Sequence, residues 1–262
     1  MNDLGPLDWG KTLEEIKLFI KKIVQETDRP RFVIGLSGGV DSTVAATLAV
    51  QAIGEKNVFP HLLPYGAFNQ SGEKYASEVI SWLHIPYENV CRIDIQPIVD
   101  EYVSTDPSVD RVRKGNVMAR VRMMCLFDQA KMRNALVLGT ENKTEHLLGY
   151  FTRFGDEASD VELLLNFYKT QIQKLAQYLG IPSAIIAIHP TAGLWEGQTD
   201  ETEFGFSYED ADRILFQLHD KKKTEKEIIP SGFSPDIVKK VLLRYKANQF
   251  KHLTPYTFVP SS

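Results

Sequence analysis

Between a short apolar run and an alanine-rich segment, the chain reads Ser37-Gly38-Gly39-Val40-Asp41-Ser42. Two adjacent glycines let a main chain approach a bulky anion closely, with its N–H groups turned toward the charge. Ser37 and Ser42 add hydroxyl donors. A strand before this turn and a helix after it would also bring the positive end of the helix dipole to the same spot. The chemistry that suits such a place is the handling of a polyphosphate. Asp41 puts a carboxylate beside that anion hole, which is repulsive unless a cation lies between, and Mg²⁺ is the natural choice. The lysine of a Walker loop is missing, which disfavours an ordinary kinase or GTPase. The plainer reading is a Ser/Gly turn in which Asp41 or Ser42 merely caps the next helix.

The flanking elements support the strand–turn–helix setting. Residues 31–36 are β-branched and aromatic, as in a buried strand, and residues 43–53 have helical composition. Upstream, Leu13, Ile16, Ile20, Ile23 and Val24 recur at helical spacing, so 9–27 reads as an amphipathic helix that Pro30 stops. The alternation continues with strands at 58–63, 87–93 and 135–138 and helices at 72–83, 109–133 and 169–178. Residues 184–188 read as a fifth strand and 235–248 as a last helix. Short apolar strands separated by helical crossovers predict a doubly wound, five-stranded parallel sheet with helices on both faces. The aperiodic stretch 190–207, rich in Gly, Thr, Asp and Glu, is long enough to be functional. No repeat or composition break divides the chain, so residues 1–262 are expected to form a single domain.

Composition narrows the classes further. Hydrophobic residues at 43% and charged residues at 24% are ordinary for a folded soluble chain, which argues against disorder. A net charge of −4 gives no global reason to expect nucleic acid as a partner. The two cysteines, Cys91 and Cys125, are far apart, which suits a reducing compartment and offers no thiolate zinc site. No apolar run approaches the roughly 20 residues of a spanning helix, and no signal peptide is read at the N-terminus. A cytoplasmic location is expected.

The 37–42 turn resembles the pyrophosphate-binding loop of the N-type ATP pyrophosphatases, which cleave ATP between its α and β phosphates to adenylate an oxygen. Further blocks single out one family. Lys114-Gly115-Asn116-Val117-Met118-Ala119-Arg120-Val121-Arg122-Met123 is similar to the G-N-x-x-A-R-x-R-M block of the NAD synthetases. Gly139-Thr140-Glu141-Asn142-Lys143-Thr144-Glu145 and Gly149-Tyr150-Phe151-Thr152-Arg153-Phe154-Gly155-Asp156 resemble two more of its blocks. Tyr168-Lys169-Thr170-Gln171, Pro190-Thr191-Ala192-Gly193-Leu194-Trp195 and Gln198-Thr199-Asp200-Glu201 complete the set, in order.

This resemblance implies an adenine nucleotide alpha-hydrolase-like fold and an ammonia-dependent NAD synthetase activity. ATP and deamido-NAD would give an acyl-adenylate, which ammonia then converts to NAD. It implies that Gly35, Leu36, Ser37, Gly38, Gly39, Val40, Asp41 and Ser42 cradle ATP, with Thr140, Lys169 and Thr191 as further contacts. It implies Mg²⁺ on Asp41 and Glu145, and deamido-NAD on Arg120, Arg153, Asp160 and Lys251. Asp41, Glu145 and Lys169 would carry the catalysis. The family's enzymes are homodimers, for which the apolar faces of the first and the 109–133 helices would serve.

Some of these roles make physical sense unaided. Thr140 and Glu145 follow a predicted strand at the sheet edge that also carries the 37–42 turn. Two carboxylates from separate loops can bridge a hydrated Mg²⁺ that also binds phosphate. Lys169 supplies a compact positive charge for departing pyrophosphate. Arg120 and Arg122 share one helix, and only one of them is expected to act; the other joins a solvated face. Trp195 reads first as a packing anchor and His189 as structural. Arg153 stands where the family commonly has Lys, and Phe250-Lys251-His252 where many relatives carry His-Lys-Arg. Residues 190–207 and 151–160 are candidate lids, since an acyl-adenylate must be shielded from water. The synthetase blocks begin near residue 30, leaving no room for an amidase domain, so ammonia is expected free or from a separate partner. Two rivals stay in view: another pyrophosphatase of the same loop type, such as a tRNA-modifying enzyme, and an ATP-binding sensor without turnover.

Overall fold

The computed structural model describes residues 4–67, 70–191, 193–195, 197–253 and 255–258. Ala192, from one of the sequence blocks, lies outside them. Helix α1 (Trp9–Thr27) runs as its periodicity requires, with Asp8 capping the first turn and Asp28 in the left-handed conformation ending it before Pro30. Strand β1 (Arg31–Gly35) follows, and then α2 (Val40–Ile53), β2 (Val58–Leu62), α3 (Gln70–Trp82), β3 (Cys91–Arg92) and α4 (Gln96–Ser104). The long α5 (Arg111–Arg133) is capped by Asp110 and stopped by Asn134 in the left-handed conformation. Beyond it come β4 (Ala135–Gly139), α6 (Lys143–Leu148), β5 (Val161–Glu162) and α7 (Lys169–Tyr178). Further helices close the chain: α8 (Ser183–Ile186), α9 (Asp200–Phe204), α10 (Tyr208–Leu215), α11 (Glu225–Ile228) and α12 (Pro235–Asn248).

The five strands form one parallel sheet in the order β3-β2-β1-β4-β5. The central strands are buried on both faces, as their unbroken apolar runs demand: Phe32, Val33 and Ile34 are wholly buried and every residue of β4 is buried. Phe32, Ile34, Leu136 and Leu138 pack with Val44, Leu48 and Ile172 of α2 and α7 on one face. Val33 and Val137 meet Ala130 of α5 on the other. A further apolar cluster, built on Leu147, Leu148, Tyr168, Tyr208, Ile214 and Val241, joins α6, α10 and α12 beside the sheet.

This is the doubly wound sheet the sequence predicts, with one strand elsewhere. Residues 184–188 are not the fifth strand; helix α8 begins after Pro182, and Ile185 goes fully buried into the main core. A short apolar run has no periodicity to separate a strand from a buried turn of helix. The fifth strand is β5, whose Val161 and Glu162 pair with Leu138 and Gly139. Two residues are too few to leave a pattern. Strand β3 is likewise shorter than 87–93, because a 3₁₀ turn at Tyr87–Asn89 precedes it. The Asn89 amide there donates to the Lys56 and Val58 carbonyls, both at 3.1 Å.

Strand order reverses between β1 and β4, so the chain leaving each turns away in an opposite direction. The crevice between the two exits, at the carboxyl ends of the strands, is where such sheets bind ligands. Residues 36–39 leave from β1 and residues 140–142 from β4, and both border it.

Candidate active site

The β1–α2 turn is built to present its main chain. Gly38 has φ +84°, and a Cβ there would run into the Gly72 carbonyl, so only glycine fits. Gly39 caps α2 without a side chain. The Ser42 hydroxyl reaches back to the Gly39 carbonyl at 3.1 Å and lies 3.1 Å from the Ser37 hydroxyl, which pulls the turn tight. Asp41 stands in the first turn of α2, its carboxylate facing away from these serines toward the neighbouring crossover.

That neighbour is the start of α6. Asn142 caps it by accepting from the Glu145 N–H at 3.0 Å, while the Glu145 carboxylate accepts from the Asn142 N–H at 3.3 Å. The same Asn142 side chain donates to Asp41 at 3.1 Å, tying the two loops together. Between the carboxylates comes Lys169, the first residue of α7, only 2% exposed. Its ammonium donates directly to Asp41 and lies 3.8 Å from Glu145. Burial alone would drive the Lys169 pKa down, but Asp41 and then Glu145 outweigh it and hold the ammonium charged. Burial pushes Glu145 well above the usual carboxylate range, with Lys169 opposing.

A buried acid positions both helices. Asp212 of α10 is wholly buried; it accepts from the Thr144 hydroxyl and from the Thr170 N–H and hydroxyl at 2.8 and 2.7 Å. Thr144 in turn accepts from the Lys169 N–H at 3.0 Å. The first turns of α6 and α7 are thereby locked to one another through one carboxylate.

Three clefts adjoin one another here, and Asp41, Glu145 and Lys169 line one of them. The nucleotide-loop cleft, about 250 Å³, is lined by the 37–42 turn together with Tyr75, Glu145, Lys169 and Asp200. A more apolar cleft of about 270 Å³ opens over β1 and β4, against Gly35, Leu36, Leu62, Pro64, Leu138 and Gly139. Ser37, Thr140 and Thr191 line both, so they mark the junction. An apolar slot that continues into an N–H-rich hollow suits a base followed by its phosphates. The remaining cleft, about 250 Å³, has walls from Tyr150, Thr152, Trp195, Arg244 and Lys251.

The structure brings together most of the residues expected at the site. Gly35, Leu36, Ser37, Gly38, Gly39, Val40, Asp41, Ser42, Thr140, Glu145, Lys169 and Thr191 all line the first two clefts. Lys251 lines the remaining one and donates to the Gly149 and Phe151 carbonyls at 2.6 and 2.8 Å. Arg120, Arg153 and Asp160 line none of the three. Arg120 is exposed and donates to the Arg153 carbonyl at 3.3 Å; the Arg153 guanidinium sits 5.2 Å from the Phe250 ring. Asp160 accepts from the Val137 N–H at 2.8 Å, finishing the edge of β4.

Arg122, rather than Arg120, faces inward from α5. It lines two of the clefts, donates to the Leu63 carbonyl at 3.1 Å, and has its pKa pushed down to about 10 by burial, still charged at neutral pH. The signal was available. Gly115, Met118, Ala119, Arg122 and Cys125 fall on one helical face that is otherwise apolar, whereas Arg120 falls opposite. Asp212 was not readable in this way, since its partners Thr144 and Thr170 lie 68 and 42 residues away. Behind Gly139, where a side chain would be, lies the Glu162 carboxylate, which accepts from the Ser159 hydroxyl at 2.9 Å. Burial pushes both Glu162 and nearby Glu141 up to about 8.

Among the described residues no set of three or more His, Cys, Asp or Glu could hold a metal ion unaided. Asp41 and Glu145 fit a different demand, that of a hydrated Mg²⁺ which takes most of its ligands from phosphate and water.

The match to known proteins spans nearly the whole chain. The NAD synthase family model matches residues 12–255. The NH(3)-dependent NAD(+) synthetase of Chlorobaculum tepidum is 40% identical over 248 residues, covering 95% of this chain and 88% of that protein. Among solved structures, an NMN synthetase from Francisella tularensis superposes with a TM-score of 0.84 at 32% identity, covering 98% of this chain and all of the other. An NH3-dependent NAD synthetase from Campylobacter jejuni, solved with a nitrate ion, gives 0.81 at 30% identity over 97% of this chain and all of that one. With a family model matched over residues 12–255 and relatives of this identity and coverage, the chain belongs to the NAD synthase family.

Proposed function

We propose that the protein adenylates deamido-NAD with ATP and then amidates it with ammonia, giving NAD, AMP and pyrophosphate. The observation that carries this reading is the buried Lys169 ammonium, set between Asp41 and Glu145 at the mouth of the glycine turn. A substrate carboxylate oxygen attacks the α-phosphorus, and the bond from that phosphorus to the bridging oxygen breaks as pyrophosphate leaves. Ammonia then attacks the carboxyl carbon of the adenylate, AMP departs with the electron pair, and the added nitrogen sheds a proton. No protein nucleophile is needed. The turn's N–H groups and Lys169 meet the negative charge that gathers on the departing pyrophosphate. Ser37, Thr140 and Thr191 line both clefts, which supports a role for them at the α-phosphate.

Asp41 and Glu145 would hold Mg²⁺, which when bound supplies positive charge to the phosphate oxygens. Arg120, Arg153, Asp160 and Lys251 are assigned to the pyridine nucleotide by family likeness; of these, Lys251 stands in the cleft beside Arg122. We take the chain to be one catalytic unit that dimerises through exposed apolar side chains, Leu18 and Phe19 of α1 with Met124 and Met132 of α5. Light scattering reporting a monomer at micromolar concentration would sink the dimer. The free thiols of Cys91 and Cys125 support residence in the cytoplasm.

The Francisella neighbour motivates a second reading, in which the carboxylate belongs to the mononucleotide rather than the dinucleotide. One experiment separates them. ATP, Mg²⁺ and ammonium are supplied with either carboxylate, and amide product and AMP are followed together. NAD and AMP in equal amounts, with at least tenfold lower kcat/KM for the mononucleotide, is the expected result. Amide formed from neither compound by folded protein would rule out both readings.

A further inference from the structure

Asp200 belongs to the Gln198-Thr199-Asp200-Glu201 block, to which the reaction above gives no task. It is 3% exposed although it begins a helix at the surface, and its N–H closes the base of the 190–200 segment on the Pro190 carbonyl at 3.2 Å. A carboxylate is rarely buried without strong partners. Here each oxygen has a tyrosine: Tyr150 donates to one at 3.0 Å and Tyr208 to the other at 2.8 Å.

The two tyrosines lead in opposite directions. The Tyr208 hydroxyl also lies 3.4 Å from Glu145, which lines the nucleotide-loop cleft together with Asp200. Tyr150 forms a wall of the cleft that holds Lys251, where its hydroxyl is 3.1 Å from Glu203 and its ring lies 5.2 Å from the Arg244 guanidinium. One buried carboxylate therefore holds the Tyr150 hydroxyl on one cleft and, through Tyr208, touches Glu145 on another, and the two clefts share no wall residue. Hydrogen bonds to an ionised acceptor in a dry setting are stronger and better aligned than neutral ones, which favours this choice of residue for a joint.

We propose that Asp200 is a positioning residue that joins the two substrate clefts, setting Glu145 through Tyr208 and the pyridine-nucleotide wall through Tyr150. This rests on the assignment of those clefts made above. An aspartate that merely stabilised the lobe would act on folding and on the fraction of active molecules, without distinguishing one substrate from the other.

Steady-state kinetics on Tyr208→Phe, Tyr150→Phe and Asp200→Asn test the joint, with thermal midpoints measured alongside. Phenylalanine removes only the hydroxyl and keeps each ring in its packing. Tyr208→Phe should raise the KM for ATP about three- to tenfold, the range of one hydrogen bond, with the carboxylate KM within about twofold. Tyr150→Phe should do the reverse. Asp200→Asn should raise both, and adding it to the double phenylalanine variant should change neither further. The joint is overturned if Asp200→Asn lowers only kcat and the melting temperature, or if the triple variant loses as much again. Should Asp200→Asn not fold, the phenylalanine pair decides it: both shifting the same KM, or neither shifting any, sinks the proposal. If wild-type protein makes no amide at all, the functional reading has failed instead.

Discussion

Replacing Lys169 by methionine removes the one cation between two carboxylates in a site where it is 2% exposed, while the side chains of Asp41 and Glu145 are 17% and 19% exposed. Burial raises Glu145, so that acid can take a proton once the ammonium is gone, and only the Asp41 charge is stranded. Breaking a buried pair costs about 3–5 kcal/mol, and with one stranded charge the loss belongs near the lower end, ~3 kcal/mol. Asp41→Asn alone strands the ammonium and should cost a similar amount. The double variant strands neither, so its loss should fall short of the sum by at least about 1.5 kcal/mol. Urea unfolding at pH 7 with a chelator present, so that no divalent ion substitutes, measures all four corners of this cycle. Because the ammonium pKa is raised in the folded chain, its contribution is full below the unfolded value of about 10.4 and is lost only at higher pH. The coupling should accordingly be level between pH 6 and 9. In the assay, Lys169→Met should lower kcat by roughly 10²–10³. Additivity within ~0.5 kcal/mol would refute the ion pair as the organising contact.

Three further outcomes follow from the site. Gly38→Ala should cost at least about 2 kcal/mol and abolish ATP binding by calorimetry, because the turn has to open to admit the methyl group. Glu141 and Glu162 are raised to about 8, so the folded chain holds protons there that the unfolded chain releases above its usual carboxylate pKa. Stability should therefore fall as pH rises from 5 to 8, by up to about 1.4 kcal/mol per pH unit for each group, and Glu141→Gln with Glu162→Gln should flatten the profile. Arg122→Leu should depress kcat/KM at least about tenfold through the lost cleft charge, a larger loss of kcat/KM than Arg120→Leu causes. Equal losses of kcat/KM would show that the inward face of α5 has been misjudged.

Much of the architecture was legible because the informative segments are long and regular. The 9–27 and 235–248 helices coincide with the observed α1 and α12, since their periodicity and stop signals agree. The nucleotide turn was legible because Gly38 is required by backbone geometry, which leaves a mark at a single position. The misplaced fifth strand shows the opposite case: residues 184–188 carry a strand's composition and fold as helix, while β5 is too short to carry any pattern. In the site, Lys169 was found only through its family block, since an isolated lysine gives no sign that it will be buried. Asp212, 42 residues beyond Thr170 and 68 beyond Thr144, left no local trace at all.

The ionic trio draws its members from both sides of a seam. Asp41 rides on α2, whose Val40 and Val44 belong to the sheet's core, whereas Glu145 rides on α6, whose Leu147 and Leu148 belong to the neighbouring one. The start of α7 straddles the line, with the preceding Tyr168 in one core and Ile172 in the other, and Lys169 between them works as a clasp. Warming that lets the cores slide apart by an ångström unfastens the clasp while each core is still folded, so activity should vanish some degrees before the circular dichroism signal does.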